Sequence, residues 1–105
     1  MAGRLSREER RRTTRVPPEA TPWEPAALLR PGVDVVLLNV SAGGALIESR
    51  TRISPGARTE LQLLGAVRRA VRGRIDRCAV SALNPVRYRG AIVFDEQLQW
   101  SRGCG

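Results

Sequence analysis

The chain has 105 residues, the length of one domain with a modest core. Its 18 positive residues are all arginine, against 10 acidic residues and no histidine, so the formal net charge of +8 favours an anionic partner. Two cysteines without histidine argue against a structural zinc site, and no apolar run approaches the ~20 residues of a membrane-spanning helix. We therefore expect a cytoplasmic protein that does not insert into membranes.

The N-terminal third of the chain divides into two unlike segments. Residues 1–15 contain six arginines against Glu8 and Glu9 and have no apolar face, which predicts a mobile basic arm. Residues 16–32 contain five prolines and favour no helix longer than about one turn. Within them, residues 26–30 are compatible with one short strand or one turn of helix.

From residue 33 the pattern is typical of β-strands. Apolar residues alternate with polar ones, or cluster as β-branched runs, and turn residues follow about every ten positions. This spacing predicts five or six short strands in an antiparallel barrel or sandwich. The best-defined strands cover residues 33–38, 45–49, 59–64, 71–75 and 87–94, with turns at 54–56 and 84–85 and a short C-terminal helix possible at 96–100.

The residues needed for catalysis are scarce. Without histidine, the usual base that activates a serine or cysteine nucleophile is missing, and the context of Ser41 is not a G-x-S-x-G elbow. Asp95 and Glu96 are adjacent and would point to opposite faces of a strand. Cys78 and Cys104 are expected to remain reduced. We expect no enzyme, no catalytic residue, no metal site and no cofactor.

Two segments offer chemistry for binding. Arg11 and Arg15 stand four residues apart in "RRRTTR", and arginine presents a planar fork of donors that suits phosphate oxygens and guanine edges. The simpler interpretation of this segment is a solubilising basic tail. Downstream, "LLNVSAGGALI" contains Asn39 and Ser41 before two glycines. It predicts either a hairpin in which the glycines adopt positive φ, or a recognition loop.

These two segments, in this order, resemble the signature of the PilZ domain, the bacterial receptor domain for cyclic di-GMP. That signature is R-x-x-x-R followed by [D/N]-x-S-x-x-G, here residues 11–15 (the first motif) and residues 39–44 (the second motif). Val16, "GGALIES" and "YRGAIVFDE" are also similar to the family, and the resemblance covers roughly residues 10–96. The proline-rich residues 16–31 depart from it, because the family's first strand normally lies there and "PPEATPWEP" fits a strand poorly.

The resemblance implies a six-stranded antiparallel β-barrel over residues 16–98, preceded by the arm and followed by a tail at 99–105. It implies that two arginines clasp the dinucleotide and that the second motif holds its other side. An arginine just before the clasp hints at a stacked dimer of the ligand. The implied ligand-binding residues are Arg10, Arg11, Arg15, Asn39, Ser41, Gly43 and Gly44.

Three functions follow from these observations. The first is a non-catalytic cyclic di-GMP receptor whose ordered arm signals to an effector protein. The second is a PilZ-like module that binds a protein partner and no nucleotide. The third is a small barrel that binds single-stranded nucleic acid, which the scattered aromatic residues disfavour because such barrels stack bases on aromatic side chains. We therefore expect cyclic di-GMP as ligand and neither DNA nor RNA.

Overall fold

The computed structural model describes residues 15–100. Arg10, Arg11 and the rest of the predicted arm up to residue 14 lie outside the described residues, as do residues 101–105 with Cys104. Of the two arginines in the first motif, Arg11 therefore lies outside the described residues, and Arg15 is the first residue that the structure describes.

Six antiparallel strands close into a barrel in the order β1-β2-β3-β6-β5-β4. The predicted all-β, six-stranded antiparallel barrel is thus confirmed. One 3-10 turn at Pro18–Ala20 is the only helical element between residues 15 and 100, and no helix in that range is long and apolar enough to cross a membrane. The strands are β1 (Trp23–Leu29), β2 (Val33–Val40), β3 (Gly44–Ser49), β4 (Arg58–Gly65), β5 (Arg69–Ala82) and β6 (Arg87–Phe94).

The core fills the barrel because side chains of one parity on each strand point inward. In β5, Val71, Gly73 and Ile75 are buried while the arginines between them are exposed, as the alternation predicts. In β4, Leu61 and Leu63 are likewise fully buried. The largest fully buried side chains, which form the centre of this core, are Leu37, Ile47, Leu61, Leu63, Ile75, Ile92, Leu98 and Val40.

The first strand begins inside the proline-rich segment, where a strand was expected to fit poorly. β1 includes Pro25, and its pairing with β4 shifts register between Trp23 and Ala27. Its pairing with β2 starts only at Ala26. Pro25 is exposed in this irregular stretch, where a residue without a backbone N–H interrupts no ladder hydrogen bond. The expectation holds for residues 17–22, which form no strand, and fails for residues 23–25, which belong to β1 because its irregular pairing accommodates Pro25.

The chain after β6 does not form the short helix considered at 96–100. Residues 97–100 have no regular secondary structure, and the backbone N–H of Leu98 donates to the carbonyl of Ala42 at 2.8 Å. Leu98 itself is 1% exposed within the core. Five residues are too few for a stable isolated helical turn, so the burial of one leucine decides the conformation of the segment.

β5, with 14 residues, is much longer than its neighbour β4, which has 8. Only Arg69–Arg74 of β5 pair with β4, and Ile75 adds two backbone hydrogen bonds to Gly56 and Ala57. From Arg77 onward β5 pairs with β6 alone, so the β5–β6 hairpin extends beyond β4. This hairpin ends in the turn predicted at Asn84 and Pro85.

Candidate functional site

The second motif spans the end of β2, a tight turn and the start of β3. Asn39 lies in β2 directly after a register shift between Leu37 and Asn39 and pairs with Leu46 of β3. β2 continues one residue past Asn39, so this strand is longer than the sequence predicted. Asn39 is half-buried on the outer face of the barrel because its neighbour Val40 points into the core. The Asn39 amide is thus presented to the surface.

Arg15 of the first motif contacts Asn39 of the second. Its guanidinium Nη1 donates a hydrogen bond to Asn39 Oδ1 at 3.3 Å, across 24 residues of sequence. The next residue, Val16, forms an antiparallel bridge with Val40 through two backbone hydrogen bonds of 2.9 Å each. These bonds fix the chain beside β2, so Arg15 is held over Asn39 by backbone pairing as well as by its own side chain.

Ser41 is turned into the protein. It is 2% exposed, and its Oγ accepts hydrogen bonds from the backbone N–H groups of Gly43 (3.3 Å) and Gly44 (3.2 Å). The hydroxyl is also within 3.3 Å of the Gly44 carbonyl, to which it donates. The side chain that the resemblance assigns to the ligand therefore stabilises the turn that follows Asn39 and β2.

Gly43 and Gly44 do not have the conformation expected of hairpin glycines, and close packing accounts for Gly44. Neither has a positive φ; among the described glycines that conformation occurs at Gly32, Gly56 and Gly65, so the positive-φ expectation for Gly43 and Gly44 was wrong. A Cβ on Gly44 would overlap the backbone carbonyl oxygen of Ile92. Position 44 requires glycine because the backbones of β3 and β6 approach each other closely there.

The end of β6 and the segment that follows it support the same turn. Phe94 N–H donates to the Gly43 carbonyl at 2.9 Å, and Leu98 N–H donates to the Ala42 carbonyl. Beyond Leu98, the ring of Trp100 packs edge-on against Trp23 with centroids 5.3 Å apart. Sequence reasoning missed this support; its one signal was Leu98, a lone apolar residue in the polar run "DEQLQ".

Strand order brings two more arginines near the second motif. One row of paired residues on the outer face runs from Asn39 through Leu46 and Ala91 to Arg77, and the next runs from Gly44 through Val93 to Arg74. At about 4.8 Å per strand, Arg77 begins roughly 14 Å from Asn39. The sequence could not indicate these arginines, because their proximity depends on β6 lying between β3 and β5.

The site is an open face of the barrel with donors at its edge. Arg15 supplies a cationic fork, and Asn39 supplies an amide that both donates and accepts. A groove of about 830 Å³ opens elsewhere, beside the far end of β2, and its lining contains no predicted site residue. Among the described residues, no three His, Cys, Asp or Glu side chains are grouped as metal ligands. These groups can bind an anionic or hydrogen-bonding surface.

Comparison with known proteins returns no match: no family model, no curated protein and no solved structure matches this chain.

Proposed function

We propose that this chain is a PilZ-type receptor for cyclic di-GMP, acting without catalysis in the bacterial cytoplasm and passing its signal to an effector protein. The observation that carries the proposal is the Arg15–Asn39 hydrogen bond, which joins the two motifs at one surface. The 23 intervening residues include a proline-rich segment that, apart from residues 26–30, has no helical or strand pattern of its own to bring these ends together. Because Arg15 and Asn39 are in contact, one residue from each motif is available to the same ligand.

The chemistry of the ligand agrees with that location. Cyclic di-GMP carries two phosphate charges and two guanines, and the O6/N7 edge of guanine accepts two hydrogen bonds from an arginine fork. Hydrogen bonds to charged groups contribute about 1.5–3 kcal/mol each. Arg15 supplies one fork, and Arg10 and Arg11, outside the described residues, supply two more in the proposal. Asn39, beside Arg15, then supplies a further donor and acceptor to the ligand, and the absence of side chains at Gly43 and Gly44 lets the ligand approach the backbone there.

The aromatic side chains give little support to single-stranded nucleic acid as the ligand. Trp23 is 5% exposed and Phe94 8% exposed, so neither ring face is available to a base. Trp100 contacts Trp23 edge-on, and Tyr88 is half-buried in β6. Base stacking contributes about 1–3 kcal/mol per base in such barrels, and this surface offers few partners for it.

Calorimetric titration with cyclic di-GMP tests the proposal. We expect saturable binding in the low-micromolar range or tighter, and Arg15→Ala should weaken it about 30-fold, which corresponds to about 2 kcal/mol. Arg68→Ala is the matched control, because it removes the same charge from an exposed turn between β4 and β5. The control should bind like the unaltered protein.

Two outcomes would overturn the proposal. No heat of binding with ligand at ~100 µM, well above the expected dissociation constant, excludes the receptor function. Equal weakening by Arg15→Ala and Arg68→Ala would show that net charge, and not the clasp, governs binding. Binding of random-sequence oligonucleotides with a steep salt dependence would instead support the nucleic-acid function.

A further inference from the structure

The β5–β6 hairpin exposes apolar side chains where it extends beyond the barrel. Of the six large hydrophobic residues exposed in the described chain, three lie within seven positions of this hairpin: Val80 (55% exposed), Leu83 (73%) and Val86 (38%). Ala79 and Ala82 are exposed beside them. Scattered exposed hydrophobics are ordinary, whereas a cluster on one projecting element is typical of an interaction surface.

The same hairpin has an open strand edge. Residues 77–82 of β5, here called the free edge, pair with β6 on one side, and no described strand pairs with them on the other. Alternate backbone N–H and C=O groups along an edge strand are available to another extended chain. Proteins commonly protect such an edge with charged side chains (above all lysine), proline, a β-bulge or a covering segment. The sequence "RCAVSA" of the free edge contains neither lysine nor proline; it has one arginine, Arg77, and its pairing with β6 shifts register between Ile75 and Arg77 and between Val80 and Ala82. Between these shifts, residues 77–80 pair regularly with β6, and no described strand covers their other side.

The charge around the free edge distinguishes among partners. Arg77 begins it, and Arg89 lies directly opposite Ala79 on β6. Arg87 pairs with Ala82, and Arg50 follows the end of β3, which runs beside β6 there. Two carboxylates oppose these arginines: Glu48, 3.8 Å from Arg87, and Asp76, 3.8 Å from Arg77. The base of the hairpin therefore keeps an excess of positive charge.

We propose that the free edge is the docking site for an extended, acidic segment of a partner protein, which adds to β5 as an antiparallel or parallel strand. Backbone hydrogen bonds to residues 77–82 supply affinity, and Val80 and Leu83 contact apolar side chains of the partner. Carboxylates flanking that apolar stretch contact the arginines. A second copy of the chain is disfavoured because its net charge of +8 would place like charges at the shared edge.

This inference is independent of the proposed nucleotide function, so it is tested without nucleotide. A display library of random 12-residue peptides is selected on the whole protein. We expect the recovered peptides to share alternating apolar residues with acidic flanks. The double variant Val80→Ser/Leu83→Ser should bind them at least tenfold more weakly, whereas Val67→Ser should not change binding. Val67 is the matched control because it is also 55% exposed but lies in the turn between β4 and β5.

A backbone test separates strand addition from simple apolar contact. In the tightest peptide, N-methylation of one set of alternate residues should abolish binding and N-methylation of the other set should leave it unchanged, because only one edge of the added strand faces β5.

Four results would overturn the inference. These are a library that yields no binder, recovered peptides without acidic flanks, peptides that bind the double variant as well as the unaltered protein, and equal effects of the two methylation sets. Self-association of the protein that the double variant abolishes would assign the free edge to a second copy instead.

Discussion

Two glycines on adjacent strands illustrate how one residue type has different functions. A Cβ on Gly44 would overlap the Ile92 carbonyl oxygen, whereas a Cβ on Gly90 would meet its nearest atoms, Arg77 O and Ile53 Cδ1, at 3.5 Å, an ordinary contact. We expect Gly44→Ala to lower the free energy of unfolding by about 3 kcal/mol through overpacking of backbone against backbone. Gly90→Ala should change it by less than about 1 kcal/mol.

Urea denaturation of the two glycine variants measures this difference. Equal destabilisation by the two substitutions would contradict this prediction, because it would mean that a methyl group fits equally well at both positions. Gly44 would then be packed no more tightly than Gly90.

Ser41 and Asn39 should respond differently to removal of their side chains. Ser41→Ala leaves the N–H groups of Gly43 and Gly44 without their acceptor in a buried turn, which should cost about 1–3 kcal/mol of stability. Asn39 is half-buried and contacts Arg15 at the surface, so Asn39→Ala should cost less than about 1 kcal/mol.

Nucleotide affinity completes the comparison: both substitutions should weaken binding, and Ser41→Ala should lower the urea midpoint more than Asn39→Ala does. Calorimetry and denaturation on the same preparations distinguish the two effects. A large loss of stability in Asn39→Ala, with no loss in Ser41→Ala, would reverse the assigned roles of the two side chains.

At the residue scale, the sequence predicted which residue types occupy the site but not their orientation. Asn, Ser and Gly in "NVSAGG" indicated a turn with polar groups, and the structure has that turn. The direction of the Ser41 hydroxyl depends on three backbone groups positioned by β3 pairing with β6, which sequence spacing alone does not encode. Arg74 and Arg77 were missed for the same reason.

At the scale of elements, the conformation of the segment after β6 was the one that the local sequence pattern predicted least well. Residues 59–64 and 71–75 alternate clearly, and β4 and β5 cover them. The segment at 96–100 has no period, so its conformation is set by where Leu98 is buried and by the carbonyl of Ala42. The start of β1 was also not predictable from local pattern, because the irregular pairing that accommodates Pro25 depends on β4 lying beside it.

Leu98→Ala therefore tests whether this element supports the site. Truncating a fully buried leucine should lower the free energy of unfolding by about 2–4 kcal/mol. The substitution should also weaken nucleotide binding, although Leu98 is buried. Its side chain anchors the segment whose backbone N–H bonds to the turn at Ala42.

A second core truncation provides the control for Leu98. Leu61→Ala removes an equally buried leucine from β4, on the opposite side of the strand order from β3. It should destabilise the barrel by a similar amount and leave the dissociation constant of the nucleotide unchanged at temperatures where both variants are folded. Equal effects on binding would make Leu98 an ordinary core residue.

For the whole molecule, the closed barrel presents two separate surfaces. The second motif lies at the β2–β3 turn, and the free edge lies at the end of β5 that β4 does not reach. The row from Asn39 to Arg77 connects these surfaces across two intervening strands. The site proposed for the nucleotide and the edge proposed for a partner protein thus lie on the same barrel, on different strands.

Limited digestion with trypsin tests how the arm and the barrel cooperate. In the proposed complex, Arg10, Arg11 and Arg15 are engaged by the dinucleotide, so cleavage after them should slow at least tenfold at a ligand concentration ten times the dissociation constant, where about nine-tenths of the protein is bound. Cleavage in the exposed turn at Arg68 is the internal control and should keep its rate. If arm and turn are protected to the same extent, the ligand stabilises the barrel as a whole, and ordering of the arm is not the event that signals binding.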